Sequence, residues 1–433
     1  MAETIQLTPE FERAMDHVKR ERGSIFVTGR AGTGKSTLLK ALRETVNLKT
    51  AVAAPTGLAA VQVGGQTIHS LFSFPPRLIT PDMIRPGRNA GVLRRLELLI
   101  IDEVSMVRAD LMDAIDKSLR ITRKAPDVAF GGVQLAMFGD PHQLPPIVQR
   151  GEMQHYFAET FGGPFFFNAP GLSEAEIPRL ELTEVFRQRD EDFIDILNHV
   201  REGEADPAVL EPLNSRTCAL NELNDPSRYV VLTPTNQAAH NINMTFLERL
   251  PGTAVEFEAM VSGEFSQGAY PTDETLALKE GAAVILLRND PRGRWVNGTL
   301  ATISEIGEHT VSIDIDGETH ELEPEVWENV HYAYDRGKDK IVETVAGKFR
   351  QLPLRLAWAL TIHKSQGMTL ERVYIDFGRG TFSHGQAYVA LSRCRSLGGL
   401  ALARPLRPRD ILFDPQATGY RNVFKQTREL SPG

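Results

Sequence analysis

The chain has 433 residues, 42% hydrophobic and 24% charged, enough apolar content to bury a core and too much for a disordered polymer. Its two cysteines exclude a disulfide scaffold, and its formal net charge of -8 argues, taken as an average, against a polyanionic partner. The average hides a pattern: Lys and Arg exceed Asp and Glu in residues 1–100 and 351–433, whereas acidic side chains dominate 151–350.

No apolar run is long enough to span a bilayer, and residues 1–23 hold no apolar signal segment. These features predict a cytoplasmic or nucleoid protein of a bacterium or phage, or a nuclear one. Thr8-Pro9 reads as a helix cap and first turn, with Phe11, Ala14, Met15 and Val18 as the apolar stripe behind it. The apolar run 24–28 then reads as a buried strand.

Gly29-Arg30-Ala31-Gly32-Thr33-Gly34-Lys35-Ser36 follows that strand and fits the phosphate-loop pattern in full. Glycines let backbone N–H groups close on phosphate oxygens, and the helix predicted over 37–45 turns its positive end to the same anion. Lys35 is placed to reach the β- and γ-phosphates, and the Ser36 hydroxyl to bind Mg²⁺. A second apolar strand, 98–101, ends in Asp102-Glu103. Asp102 suits a Mg²⁺ site and Glu103 the polarisation of an attacking water. Together the two motifs predict hydrolysis of ATP or GTP.

Further along, Gly139-Asp140-Pro141-His142-Gln143 follows the strand predicted over 133–138 and brings Gln143 toward the γ-phosphate. Arg187 and Arg393 lie far down the chain. Arginines so distant make charge stabilisation depend on closure of a second part of the fold. Loop hydroxyls and amides recur after short apolar strands: Pro55-Thr56-Gly57, His69-Ser70, Thr233 to Asn236, and Thr361, His363, Lys364 and Ser365. Such groups suit weak, repeated contact with a nucleic-acid backbone and little base selectivity, the alternative for each hydroxyl being a helix cap. Residues 73–97 break the alternation of strands and helices with four prolines and five arginines. Val311, Ile313 and Ile315 alternate with polar residues before Gly317, as short antiparallel strands do.

The stretches APTGLAA (54–60), TIHSLF (67–72), GDPHQLPP (139–146), LTEVFRQ (182–188), VLTPTN (231–236), AWALTIHKSQGMTL (357–370) and GQAYVALSRCRS (385–396) stand in the motif order of superfamily-one helicases. With Phe130 to Leu135 and Phe161 to Phe167, the chain resembles the PIF (petite integration frequency) family of superfamily 1B, whose relatives include the RecD and Dda helicases. The resemblance implies an α/β protein of two RecA-like domains, the first over 1–185 with a wedge-like insertion at about 66–95. The second would comprise 186–295 and 353–433, interrupted by an SH3-like β-barrel over 296–352. It implies ATP and Mg²⁺ as cofactors, 5′-to-3′ translocation on single-stranded DNA and unwinding of duplexes or forks by a monomer, in DNA replication, repair, recombination or telomere maintenance.

Carried over residue by residue, Gln143 becomes a γ-phosphate sensor, and Arg187 and Arg393 the arginine fingers. Thr37 and Gly367 join the nucleotide-binding set. The glutamine that reads adenine in the family is replaced by Phe11, leaving Gln6 or a stacked Phe11 ring for that task. Pro55, Thr56, Gly57, His69, Ser70, Phe72, Thr233, Asn236, Val296, Asn297, Thr361, His363, Lys364 and Ser365 become the DNA contacts. The residues leave the biological duplex open, whether fork, RNA–DNA hybrid or G-quadruplex. Two other readings stay open: the motor subunit of a RecD-like nuclease complex, and a P-loop switch that does not translocate.

Overall fold

The computed structural model describes residues 8–148, 151–188, 190–223, 229–335, 337 and 340–425. Its first unit is a six-stranded parallel sheet in the order 66–67, 50–54, 98–101, 134–138, 25–29 and 179–182. The apolar strand runs look uniform in sequence but divide by alternation. Phe26, Ala51, Ala53, Leu99, Ile101, Leu135 and Met137 enter one core, while Ile25, Val27, Val52, Leu98, Ile100, Ala136 and Phe138 enter another. A parallel sheet covered on both faces requires this. Helices Pro9–Lys19 and Lys35–Thr45 cover the second face, and Ala109–Arg123 covers the first. Thr8 caps the opening helix by accepting from the Phe11 N–H at 3.2 Å.

The second unit is a four-stranded parallel sheet in the order 359–361, 230–233, 373–375 and 400–402. Helices Glu191–Arg201, Pro207–Asn214 and Gln386–Leu391 share one core with it. Between these elements lies an antiparallel block. One sheet orders strands 318–322, 311–315, 300–306, 283–286 and 354–356; another orders 325–335, 340–351 and 260–263. The predicted insertion at 296–352 therefore recruits 283–286 and 354–356 as strand partners, since the alternating strands need backbone partners on both sides.

Two further departures concern packing between segments. The 325–351 hairpin reaches the first unit, where the buried Tyr332 hydroxyl accepts from the Val52 N–H at 3.0 Å. The chain's last described residues also return there: Phe424 meets Phe26 at 4.7 Å between ring centroids, and Tyr420 packs in the same core. Aromatic burial thus draws 415–425 away from the second sheet, with which the sequence reading had grouped it. The proline- and arginine-rich segment after residue 66 folds into the short helices Ile68–Phe72 and Ala90–Arg95.

Candidate nucleotide site and nucleic-acid clefts

The phosphate loop lies between strand 25–29 and helix 35–45, as its sequence predicts. Gly32 and Gly34 take φ of +82° and +83°. A β-carbon at Gly32 would stand 2.4 Å from Cβ of Arg187, and one at Gly34 would stand 2.8 Å from Cζ of Phe11. Both glycines are therefore required twice, by conformation and by contact. The Lys35 ammonium donates to the carbonyls of Gly29 (2.6 Å) and Arg30 (2.9 Å). Burial lowers its pKa to about 8 against the pull of Asp140 and Glu103.

Asp102 and Glu103 end the strand 98–101 beside this lysine. Burial and the neighbouring Glu103 raise the Asp102 carboxyl to about 7. Burial also raises Glu103, opposed by Lys35 and Arg393. Glu103 holds a left-handed backbone, φ +48°, which turns the chain sharply after the strand and stores strain at the site. Gln143 is buried and its amide donates to Asp140 at 3.4 Å.

The structure brings Arg187 against the loop and buries Arg393 close to Arg187 and Glu103. The Phe186 N–H donates to the Gly32 carbonyl at 2.9 Å and lays the 182–188 segment across the phosphate loop. Arg187 donates to the carbonyls of Ser392 (3.4 Å) and Gly367 (3.2 Å), and Gln188 donates to those of Ser392 (3.0 Å) and Cys394 (3.1 Å). Arg393, 1% exposed, donates to Val389, Ser365 and Met368 carbonyls and to the Ser392 hydroxyl. Burial lowers Arg187 to about 9, helped by the like charge of Arg393, and lowers Arg393 to about 10. Among the described residues, no carboxylate forms an ion pair with Lys35, Arg187 or Arg393. Lys35, Arg187 and Arg393 are thus three partly desolvated cations held by carbonyls, the kind of group that can pair with a polyphosphate.

The remaining nucleotide-side expectations divide. Ala31 and Thr33 are buried within the loop, and Ser36 and Thr37 stand exposed at the start of the helix. Gly367 is exposed with φ +79°. Gln6 lies outside the described residues. Phe11 is corrected: at 2% exposure it belongs to the core with Ala14 and Val18, so no ring face is open to a base. The exposed aromatic at the loop is Phe186, whose Cδ2 would lie 3.7 Å from a β-carbon at Gly34.

Two clefts hold part of the predicted DNA set. One, about 420 Å³, is lined by Gly57, Thr67 and Ser70 from the first unit and by Glu264, Asn329 and His331 from the antiparallel block. Arg88 spans it, donating to Ser70 (3.4 Å), Glu264 (3.4 Å) and His331 (3.3 Å). The other, about 310 Å³, is lined by Asn236, His240, Asp273, Arg355, Thr361 and Lys364. Pro55, Thr56, His69 and His363 are half-buried, and burial lowers the pKa of both histidines. Val296 and Asn297 are exposed on a turn.

Several hydroxyls serve the backbone. Thr56 caps helix 57–62 by accepting from Ala59 N–H, and Thr233, Thr361 and Ser365 are buried. Thr233 donates to the Thr235 carbonyl (3.1 Å), Thr361 accepts from the Lys364 N–H (3.2 Å) and Ser365 donates to the Ile362 carbonyl (2.8 Å). For Thr233 and Ser365 this is a correction: loop closure consumes the hydroxyl expected on DNA. Phe72 is corrected too, since it is 1% exposed and stacks on Phe74 at 5.5 Å in the core.

Arg355 was missed by sequence reasoning. It is buried, donates to the Pro271 carbonyl and leaves its Nε without a partner among the described residues. Its signal was a lone arginine inside the apolar run 352–362.

The chain is similar to known helicases along most of its length. The profile of PIF1-like helicases matches residues 6–209. The ATP-dependent DNA helicase Pif1 of Bdellovibrio bacteriovorus is 33% identical over 97% of this chain and 93% of its own. The human ATP-dependent DNA helicase PIF1 is 34% identical over 94% of this chain, which spans 62% of that longer protein. Bacteroides Pif1 in complex with ADP-AlF4 superposes with a TM-score of 0.89 at 34% identity, covering 97% of both chains. The same helicase with ADP-AlF3 and single-stranded DNA gives 0.69 at 34% identity and 98% of both.

Proposed function

Taking as premise that the chain belongs to the PIF1-like helicase family and is an ATP-dependent DNA helicase, we propose that it translocates 5′ to 3′ on single-stranded DNA and unwinds duplexes and forks as a monomer. The observation that carries this reading is the convergence of Lys35 and Arg187 on one phosphate loop, with Arg393, from a third stretch of chain, near enough to Arg187 and Glu103 for their charges to interact. A site assembled from both parallel-sheet units couples hydrolysis to their relative position.

In this reading the loop amides and Lys35 hold the ATP phosphates. Glu103 takes the proton of the attacking water and Gln143 orients that water. Arg187 and Arg393 exchange backbone carbonyls for the charge that develops on the γ-phosphoryl group. Asp102 and Ser36 are the residues that would hold Mg²⁺. The buried Asp102 carboxyl, raised by its surroundings, fits a site that a divalent cation would return to the ionised form. Bound there, the cation neutralises phosphate charge.

The clefts at Ser70 and at Lys364 carry the DNA backbone, one on each parallel-sheet unit, so closure moves one set of contacts relative to the other. The hydroxyls and amides that line these clefts suit contact with the sugar-phosphate backbone, which supports low sequence selectivity. The decisive experiment is ATP-driven unwinding of two duplexes, one with a 5′ and one with a 3′ single-stranded tail. Unwinding from the 5′ tail alone supports the polarity; unwinding from the 3′ tail alone overturns it.

A further inference from the structure

Helix Gln386–Leu391 is buried along its whole length and carries the residues that lead to Arg393. Three contacts seat it on the first unit. Gly385, at φ +69°, packs so closely that a β-carbon there would stand 2.3 Å from the Gln143 carbonyl and 2.5 Å from that of His142. The His384 Nε2 lies 3.1 Å from the Pro141 carbonyl. Finally, the Tyr388 hydroxyl accepts a hydrogen bond from the Ala31 N–H at 2.9 Å. That bond joins the phosphate loop to the arginine-bearing helix across 357 residues of sequence. The ring is 3% exposed, and burial raises its pKa to about 12, so the oxygen is a neutral phenol at working pH.

We infer that Tyr388 is a positioning residue for the hydrolysis step: its hydroxyl pins the helix that carries Arg393 to the phosphate loop, fixing the distance between arginine and phosphates. The inference rests on the role given to Arg393 above. Two features of the geometry favour this over plain packing. The donor is an amide of the phosphate loop itself, which must be bonded somewhere or left orphaned in a buried place. Arg393 is tied to the same helix, its Nε donating to the Val389 carbonyl at 2.9 Å, so displacement of Tyr388 moves the guanidinium with it. Because the bond holds the helix to which Arg393 is tied, its loss should act on the step that uses Arg393 and leave ground-state binding nearly intact.

The test uses the full chain with single-stranded DNA and compares Tyr388→Phe, Arg393→Ala and the double variant for ATP turnover. Phenylalanine keeps the buried ring and removes only the acceptor, and a urea midpoint for each variant reports folding. A net neutral hydrogen bond corresponds to about five- to tenfold in rate. The expected result is a fall of that size in kcat for Tyr388→Phe, with KM for ATP changed less than about twofold. In the Arg393→Ala background the same change should cost less than about twofold, because the pin has nothing left to position. A kcat within about twofold of the parent, a loss confined to KM, or full multiplicative loss in the double variant would overturn the inference. If Arg393→Ala itself turns over normally, the arginine-finger reading fails, and the kcat against KM split of Tyr388→Phe alone still decides whether the hydroxyl positions the loop.

Discussion

Arg201, at the end of helix 191–201, lays its guanidinium 3.0 Å from the Asp140 carboxylate that follows strand 134–138, with both side chains buried. This ion pair joins the two parallel-sheet units beneath the phosphate loop. Burial opposes the Asp140 charge, but Arg201, then His142 and Lys35, outweigh it and lower the pKa to about 2. Removing one partner leaves a bare charge in a dry place, which costs more than removing both. Arg201→Met should destabilise the fold by about 3–5 kcal/mol, and Arg201→Met with Asp140→Asn by clearly less. Urea unfolding measures both; equal losses would show that the pair is not the source.

Glu103 faces Lys35 at the end of its strand, and its strained backbone aims it there. Glu103→Gln removes the acceptor of a proton while keeping shape. Binding of ATP and of DNA should survive, while turnover falls by about two to four orders of magnitude. Arg393→Ala should cost on the order of a thousandfold if the guanidinium meets developing phosphate charge. Losses below about tenfold in either variant would make that residue structural.

How much of this was legible in the sequence depended on separation along the chain. The phosphate loop and Asp102-Glu103 could be read because each is contiguous and follows a strand. Arg187 and Arg393 could be assigned as fingers only through a resemblance, since nothing in their own neighbourhood says that Gly32 and Gly367 lie against the first and Ser365 and Met368 against the second. The Asp140–Arg201 and Ala31–Tyr388 partnerships are invisible in one dimension. Hydroxyls misled for another reason. Thr233 and Ser365 sit in loops that follow short apolar strands, but composition does not say which way a short side chain turns, and local carbonyls took both.

The roles of Phe186 and Phe11 can be separated by one pair of variants. Phe186 is 44% exposed at the phosphate loop, whereas Phe11 is 2% exposed behind it. Phe186→Ala should raise KM for ATP by about two- to tenfold, the size of a lost ring contact, with stability unchanged. Phe11→Ala should instead cost about 3–5 kcal/mol of stability. A selective KM effect at Phe11 with normal stability would restore a base-binding role to it.

Lys364 is exposed at the edge of the cleft lined by Asn236 and Thr361. A lysine on a phosphate contributes one released counterion, so Lys364→Ala should weaken single-stranded DNA binding and reduce the magnitude of the log-affinity against log-salt slope by about 0.7. Phe72→Ala serves as the contrast, since a core aromatic should change stability and leave that slope alone. Salt titrations of a labelled oligonucleotide measure both; an unchanged slope for Lys364→Ala would remove it from the track.

His142 gives the fold a pH dependence whose sign can be worked out. Its Nδ1 lies 3.1 Å from the Arg201 carbonyl, its Nε2 has no hydrogen-bond partner among the described residues, and its ring stacks on Phe413. Burial first, then the Arg201 charge, lowers its pKa from 6.5 to about 4, although Asp140 and Glu202 pull the other way. The unfolded chain therefore takes up a proton below about pH 6.5 that the folded chain refuses until about pH 4. Stability is full above that window and falls as pH drops through it, by up to about 1.4 kcal/mol per pH unit for one site. His69, His363 and His384 are lowered by burial in the same direction, whereas the raised Asp102 and Glu103 carboxyls act in the opposite one, so the parent's slope is a sum over several groups. His142→Asn, compared with the parent by urea unfolding between pH 4.5 and 6.5, cancels those shared contributions and isolates this ring. The variant's slope should be shallower by up to one proton, and identical slopes would mean that His142 is already protonated in the folded protein.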